Sequence, residues 1–246
     1  MKETTPCIIG RGTRRIIVAI ASAAALAAWS ASVHAATVNV QATSSIWLAT
    51  QPAGSGVTGY FGTDYAPANS PVELALTGGA LTFSASGSTS VDGNCFAGPD
   101  GGSCYPNESG FSPSPASAAY NGPATALIGI FENGNVNNVA SSSPFLDYTV
   151  PGNFSRTSYS PGLNQIFFIG DGLTGTGSGS TQLFNPPAGA TLLFLAVADS
   201  IGASTGNVGF LTVEVNGATP VPLPAAAWLM MSGLGALGLL ARRRKA

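Results

Sequence analysis

The chain has 246 residues, of which 45% are hydrophobic and only 8% charged, and its formal net charge is −2 at pH 7. Eight of its nine basic residues lie at 2–15 and 242–245. Between Ala36 and Pro220, ten acidic residues stand against one basic residue, Arg156, which gives this segment a formal charge of −9. Such an acidic surface repels nucleic acid and excludes it as a partner.

Residues 1–35 have the three parts of a secretory signal peptide. A basic region precedes the apolar run Ile16–Ala28, and small residues then stand at 33 and 35. We therefore expect signal peptidase to cut between Ala35 and Ala36, so that the rest of the chain is exported. A permanent N-terminal anchor is the alternative. The basic residues of the first region are Lys2, Arg11, Arg14 and Arg15.

The exported segment lacks histidine, because His34, the single histidine of the chain, falls inside the signal peptide. This excludes catalytic triads with an imidazole base and zinc sites with histidine ligands. A hydrolase that uses two carboxylates stays formally open, but no pair of acidic residues has a local spacing that suggests one. We therefore expect no enzymatic activity and no required cofactor.

Two cysteines, Cys95 and Cys104, remain after export. Because the compartment outside the cytoplasm is oxidising, we expect them to form one disulfide that closes a surface loop. The chain-entropy treatment gives about 2.7 kcal/mol of stabilisation for a loop of this size. The spacing is too long for the redox motif Cys-x-x-Cys.

The segment between Ala36 and Pro220 predicts a single all-β domain, because short β-prone runs recur between turn-forming residues. The run Thr191–Ala198 is almost continuously apolar and predicts a central strand that is covered on both faces. Phe210–Val215 is mixed and predicts a strand with one wet face. Residues 133–163 are polar and predict a long irregular loop. The predicted strands are Thr37–Ala42, Val57–Phe61, Val72–Leu76, Ala80–Ala85, Ala126–Phe131, Gln165–Ile169, Thr191–Ala198 and Val208–Val215.

The glycine-rich run Gly170–Gly179 has the composition of a phosphate-binding loop. Such a loop needs a following helix and usually a lysine, and neither is indicated here. We therefore interpret the run as a mobile loop between strands.

Residues 221–246 predict a membrane-spanning tail. Residues 225–241 carry no charge and form about 26 Å of helix, which is enough for a thin bilayer core of roughly 30 Å. Trp228 lies near one end, where an indole ring favours the membrane interface. The basic cluster at the other end is expected to stay in the cytoplasm. It consists of Arg242, Arg243, Arg244 and Lys245.

This tail resembles the PEP-CTERM sorting signal in its VPLPA variant, through a proline motif, an apolar span and a basic end. The resemblance implies that an exosortase, a membrane-embedded cysteine transpeptidase, recognises the tail and cuts near the motif. Leu223 stands where the commoner form has glutamate, which leaves the particular processing enzyme open. An ordinary C-terminal anchor that is never cut is the alternative. The motif residues are Val221, Pro222, Leu223, Pro224 and Ala225.

The exported domain is also similar, in three patches, to the jelly-roll β-sandwich of calcium-dependent, galactose-binding bacterial lectins. The resemblance implies a calcium site with Asp199 and Asn207 as ligands, since calcium takes carboxylate, amide and carbonyl oxygens. Gly206 replaces a ligand asparagine of that family, and Ala203 lacks a hydroxyl that helps to hold the sugar. Alternatively, Asp199 and Asn207 cap a tight turn. The patches are Ala80–Gly87, Ala126–Phe131, and Leu192–Asp199 with Gly202, Asn207 and Gly209.

Together these observations predict a signal peptide at 1–35, an exported domain at 36–220 and a sorting signal at 221–246. We expect a jelly-roll-like β-sandwich flanked by a signal-peptide helix and a transmembrane helix. The expected function is that of a non-catalytic protein of the cell surface, the extracellular matrix or a biofilm, held briefly in the inner membrane before exosortase acts. The alternative is a calcium-assisted carbohydrate-binding module whose ligand is exopolysaccharide.

Overall fold

The computed structural model describes residues 35–103, 120–134, 146–150 and 152–221. This part of the chain is all-β, as predicted, and its helical structure is limited to the 3₁₀ turns Ile46–Leu48 and Ser204–Gly206. The two expected flanking helices fall outside the described residues. Within those residues, no helix is long and apolar enough to cross a bilayer. In chain order the strands are β1 (Ala36–Gln41), β2 (Gly56–Thr58), β3 (Thr63–Tyr65), β4 (Val72–Leu76), β5 (Thr82–Ser90), β6 (Leu127–Glu132), β7 (Ser158–Tyr159), β8 (Ile166–Phe168), β9 (Leu173–Gly175), β10 (Ser178–Thr181), β11 (Leu183–Phe184), β12 (Leu192–Val197), β13 (Val208–Asn216) and β14 (Ala218–Pro220).

Two antiparallel sheets form the framework. The smaller sheet has the strand order β1–β13–β5, and the larger sheet has the order β14–β4–β12–β6–β8. β13 pairs with β5 along its whole length, from Val208 opposite Ser90 to Asn216 opposite Thr82. Buried side chains from both sheets belong to one hydrophobic core. The two sheets therefore pack as the layers of a sandwich.

The central strand of the larger sheet is the most apolar one. β12 lies between β4 and β6, and every residue from Leu193 to Val197 is at most 4% exposed. Because successive side chains of a strand point to opposite faces, both faces of the sheet are covered here. The prediction for Thr191–Ala198 is confirmed.

β13 shows the alternating pattern of a strand with one wet face. Leu211, Val213 and Val215 are fully buried, whereas Phe210 is 48% exposed and Glu214 also faces solvent. One face of the strand packs on the core and the other meets water, as its mixed composition predicts.

Phe184 of β11 connects the two layers. Its ring is fully buried and makes an edge contact with Phe83 of the smaller sheet, with centroids 5.0 Å apart. Its centroid also lies 5.6 Å from that of Phe167 in the larger sheet, and the ring stacks on Tyr159 at 5.1 Å. Aromatic pairs at such separations add to the free energy of burial. Phe184 therefore stabilises the contact between the sheets.

The glycine-rich run forms a β-hairpin, which corrects the prediction of a loop. β9 and β10 pair with each other, and Gly177 lies between them at a φ of 62°. Gly172 has a φ of 86°, and a Cβ there would lie 2.1 Å from the carbonyl oxygen of Phe83. Only glycine permits this close approach of the hairpin to β5. A strand, β11, follows the hairpin at the position where a phosphate-binding loop would lead into a helix.

The sequence pattern missed six short strands and misplaced some ends. β3, β7, β9, β10, β11 and β14 have two to four residues each, too few to show an alternation. β5 continues to Ser90, beyond the predicted end at Ala85, because its backbone keeps pairing with β13. The strand predicted at Val57–Phe61 ends at Thr58, because the Gly59 N–H donates to the Gly62 carbonyl oxygen and closes a turn. Within the predicted loop 133–163, β7 pairs in parallel with β11.

Replacing Phe184 with alanine is expected to lower the free energy of unfolding by about 3–5 kcal/mol, the usual cost of deleting a buried phenylalanine. Leu183, its neighbour on β11, is 45% exposed and provides a matched control. Leu183→Ala is expected to change the same quantity by about 0.5 kcal/mol or less. Urea denaturation followed by circular dichroism measures both variants, and equal losses would contradict the role assigned to Phe184.

Candidate functional site

The predicted sorting signal begins at the exposed end of an edge strand. β14 pairs with β4 at the rim of the larger sheet, with Pro220 opposite Leu74. Pro220 is exposed, and Val221, the first motif residue, is 40% exposed. The start of the signal is therefore accessible from solvent. The other motif residues, 222–225, and the basic cluster, 242–245, lie outside the described residues.

The predicted signal-peptidase site lies directly before the first strand. Ala35 is exposed, whereas Ala36 is 6% exposed and begins β1. Ala36 lies opposite Val215 near the end of β13, and β13 turns at Gly217 into β14. A cut before Ala36 would leave β1 complete. The two predicted export signals thus join the sandwich near the same paired strand ends.

Asp199 and Asn207, which the lectin resemblance singled out, lie together in the turn between β12 and β13. Asn207 Nδ2 donates to Asp199 Oδ2 at 2.8 Å and to the carbonyl oxygen of Ala42 at 3.1 Å. The Ser200 N–H donates to Asp199 Oδ1 at 2.6 Å. Asp199 is 9% exposed and Asn207 is 7% exposed. The pair therefore ties this turn to the end of β1, and Asn207 turns its amide nitrogen rather than its oxygen toward Asp199.

Sequence reasoning missed Asp64, a fully buried carboxylate beside the same turn. Its Oδ1 accepts hydrogen bonds from the Thr205 N–H at 3.1 Å and from the Thr205 hydroxyl at 3.3 Å. The Thr205 hydroxyl also lies 3.2 Å from Asn69 Oδ1, and Asn69 Nδ2 donates to the Thr43 carbonyl oxygen at 3.0 Å. Asp64 and Thr205 are 141 positions apart. No local spacing could have indicated this contact.

Two buried oxygens in this region, Asp64 Oδ2 and Asn207 Oδ1, have no hydrogen-bond partner in the protein. Such atoms are rare in native structures, and an ordered water or an ion is one way in which they obtain a partner. Carboxylate, amide and carbonyl oxygens are the donors that calcium prefers, so the residues present fit this cation in type. No group of three acidic, histidine or cysteine side chains occurs in the described ranges. Amide and backbone oxygens would therefore have to complete a calcium site.

The loop that contains Cys95 is fixed by an aspartate. Asp92 Oδ1 accepts hydrogen bonds from the Asn94 N–H at 2.9 Å and from the Cys95 N–H at 3.2 Å. Cys104 lies outside the described residues, so the disulfide between the two cysteines stays a prediction.

Replacing Asn207 with alanine removes two buried hydrogen bonds and is expected to lower the free energy of unfolding by about 2–3 kcal/mol. Asn216 provides a matched control, because its Nδ2 donates to Thr82 Oγ1 at 3.0 Å on the exposed surface. Asn216→Ala is expected to cost about 0.5 kcal/mol or less. Chemical denaturation measures both variants. A neutral Asn207→Ala variant would show that this contact does not hold the turn.

The comparison with protein-family models concerns the tail and not the sandwich. Residues 220–245 match the model described as the PEP-CTERM protein-sorting motif. The match begins at the last residue of β14 and extends through the proline motif, the apolar span and the basic cluster. No curated protein matches the chain, and the similarity of the sandwich to lectins stays a prediction. The chain therefore carries a PEP-CTERM protein-sorting motif over residues 220–245.

Proposed function

We propose that this chain is an exported protein that an exosortase processes at its C-terminal signal and that is then displayed at the cell surface or in the extracellular matrix. The match to the sorting motif at 220–245 carries the proposal. A motif of this kind implies export, membrane-associated sorting and an exosortase as the processing enzyme. Signal peptidase is the partner proposed for the N-terminal cut between Ala35 and Ala36.

The position of the motif suits such processing. Ala218 of β14 is fully buried, but Thr219, Pro220 and Val221 are exposed. A cut beyond Pro220 therefore removes no side chain from the described core. A cut at this point leaves β14 in place as the edge strand of the larger sheet. The sandwich can therefore leave the membrane as a folded unit.

The exported domain is proposed to act without catalysis, as a surface or matrix component. Its segment from Ala36 to Pro220 has no histidine and a formal charge of −9. A strongly negative domain stays soluble and repels other anionic polymers unless cations bridge them. These features support a structural or adhesive role in a matrix rather than a role at nucleic acid.

Surface material is expected to contain a product that has lost the basic cluster at 242–245. The double variant Pro222→Ala/Pro224→Ala is expected to keep that cluster, because it alters the motif that the exosortase is proposed to read. Pro187→Ala, a proline outside the motif, is the matched control and should be processed like the natural chain. Intact-mass measurement distinguishes the products. A natural chain that keeps residues 242–246 throughout would contradict exosortase processing.

A second candidate function is calcium-assisted binding of exopolysaccharide by a domain of the jelly-roll lectin type. The observation that favours it is the pair of unpartnered buried oxygens, Asp64 Oδ2 and Asn207 Oδ1, beside the turn that contains Asp199. In this proposal Asp64, Asp199 and Asn207 hold the ion together with backbone carbonyls. The bound ion would satisfy buried oxygens and offer its remaining coordination positions to sugar hydroxyls.

If calcium binds there, adding millimolar calcium to the chelator-treated full chain in detergent is expected to raise its melting temperature. A hundredfold excess of calcium over its Kd stabilises by about 2.7 kcal/mol. Asp64→Asn is expected to abolish the shift, because it removes a carboxylate but keeps an accepting oxygen for Thr205. Glu214→Gln, which removes one exposed carboxylate from β13, should keep it. The absence of any shift in the natural chain would exclude the second candidate.

A further inference from the structure

A cavity of about 660 Å³ lies beside β5, between the loop 98–103 and the hairpin formed by β9 and β10. Both of its walls are fixed to the sandwich. The Gly102 N–H donates to the Ala124 carbonyl oxygen at 3.0 Å, and the Leu127 N–H donates to the Pro99 carbonyl oxygen at 2.8 Å. On the hairpin side, the Ala85 N–H donates to the Asp171 carbonyl oxygen at 3.3 Å. The cavity is therefore preformed, and its size is within the range of roughly 300–1,000 Å³ that small-molecule sites have.

Two carboxylates line this cavity, Asp100 and Asp171. Asp100 Oδ1 accepts a hydrogen bond from the Asp171 N–H at 2.9 Å, so the two residues are direct neighbours. Asp171 accepts from the Leu173 N–H at 2.8 Å and from the Gly177 N–H at 2.6 Å. Burial raises the pKa of Asp100, and the charge of Asp171 raises it further. None of the residues that line the cavity is basic, so its electrostatic character favours a cation and disfavours an anion.

Aromatic side chains also line the cavity. Phe154 is 41% exposed, and its ring centroid lies 6.3 Å from that of Phe168, which also lines the cavity. Tyr148, a third lining residue, is only 2% exposed, and its hydroxyl is closed off from solvent. The Phe168 N–H is near enough to affect the Tyr148 pKa, but burial dominates and raises that pKa. A molecule in the cavity would therefore meet the rings of Phe154 and Phe168 rather than the Tyr148 hydroxyl.

We propose that this cavity binds an amino sugar, a pyranose that carries a free ammonium group. The ammonium group has three N–H donors and no acceptor, which matches the carboxylates of Asp100 and Asp171. The apolar face of the sugar ring packs on the exposed ring of Phe154. Charge-assisted hydrogen bonds to carboxylates are about twice as strong as neutral ones, so the ammonium group decides the specificity.

Calorimetric titration of the full chain in detergent with glucosamine and with glucose tests this proposal, because the two probes differ by one ammonium group in place of a hydroxyl. Glucosamine is expected to bind about tenfold or more tightly than glucose, which corresponds to the loss of one charge-assisted contact. Equal affinities, or no heat from either probe, would overturn the proposal. Release of smaller sugars from a glucosamine oligomer would also overturn it, in favour of a hydrolase that uses the two carboxylates.

Variants locate the site within the protein. Asp100→Asn keeps an oxygen for the Asp171 N–H and is expected to weaken glucosamine binding about tenfold, whereas Glu214→Gln should leave it unchanged. If Asp100→Asn fails to fold, Phe154→Ser tests the same cavity at a more exposed position. Unchanged affinity in Asp100→Asn, or in Phe154→Ser where Asp100→Asn does not fold, would refute the assigned cavity.

Discussion

The fold depends on the closure of two sheets over a shared aromatic core. Phe184 belongs to a strand of only two residues, yet its ring contacts Phe83 of one sheet and Phe167 of the other. The stacked pair of Phe131 and Phe167, with centroids 4.8 Å apart, extends this core into the larger sheet. Because the chain is only 8% charged, burial of apolar surface must supply most of its stability. The short strands β7 and β11 are held in place by Tyr159 and Phe184, which they insert into this core.

The scarcity of basic residues determines which donors the carboxylates of the sandwich can use. Arg156 is the single cation between Ala36 and Pro220, and its guanidinium donates to Asn153 at 2.6 Å. Carboxylates at turns therefore obtain donors from the backbone, as Asp64 does from Thr205, Asp171 from Leu173, and Asp199 from Ser200. Each such contact fixes a loop against the sandwich. At these loops, Asp64 Oδ2 is left without a partner in the protein, and Asp100 and Asp171 line a cavity. The candidate ligand sites occur there for this reason.

The two predicted export signals adjoin the sandwich at β1 and at β14. The sorting motif begins at the last residue of β14, and the predicted N-terminal cut precedes β1, which pairs with the strand before β14. The two proposed cuts would therefore leave both sheets intact. The sites proposed for ligands lie at other loops, so processing at the tail and binding by the sandwich are physically separable.

The sequence by itself determined the elements that carry their own pattern. The span and basic end of the tail could be read from composition because a sorting signal acts as a linear segment, and Thr191–Ala198 could be read as a central strand because a continuous apolar run must be covered on both faces. Only the tertiary structure decided the position of Phe184, the burial of Asp64 and the pairing of Asp100 with Asp171. Asp64 meets Thr205 across 141 positions and Asp100 meets Asp171 across 71. Such contacts arise when the sheets close, and no local periodicity records them.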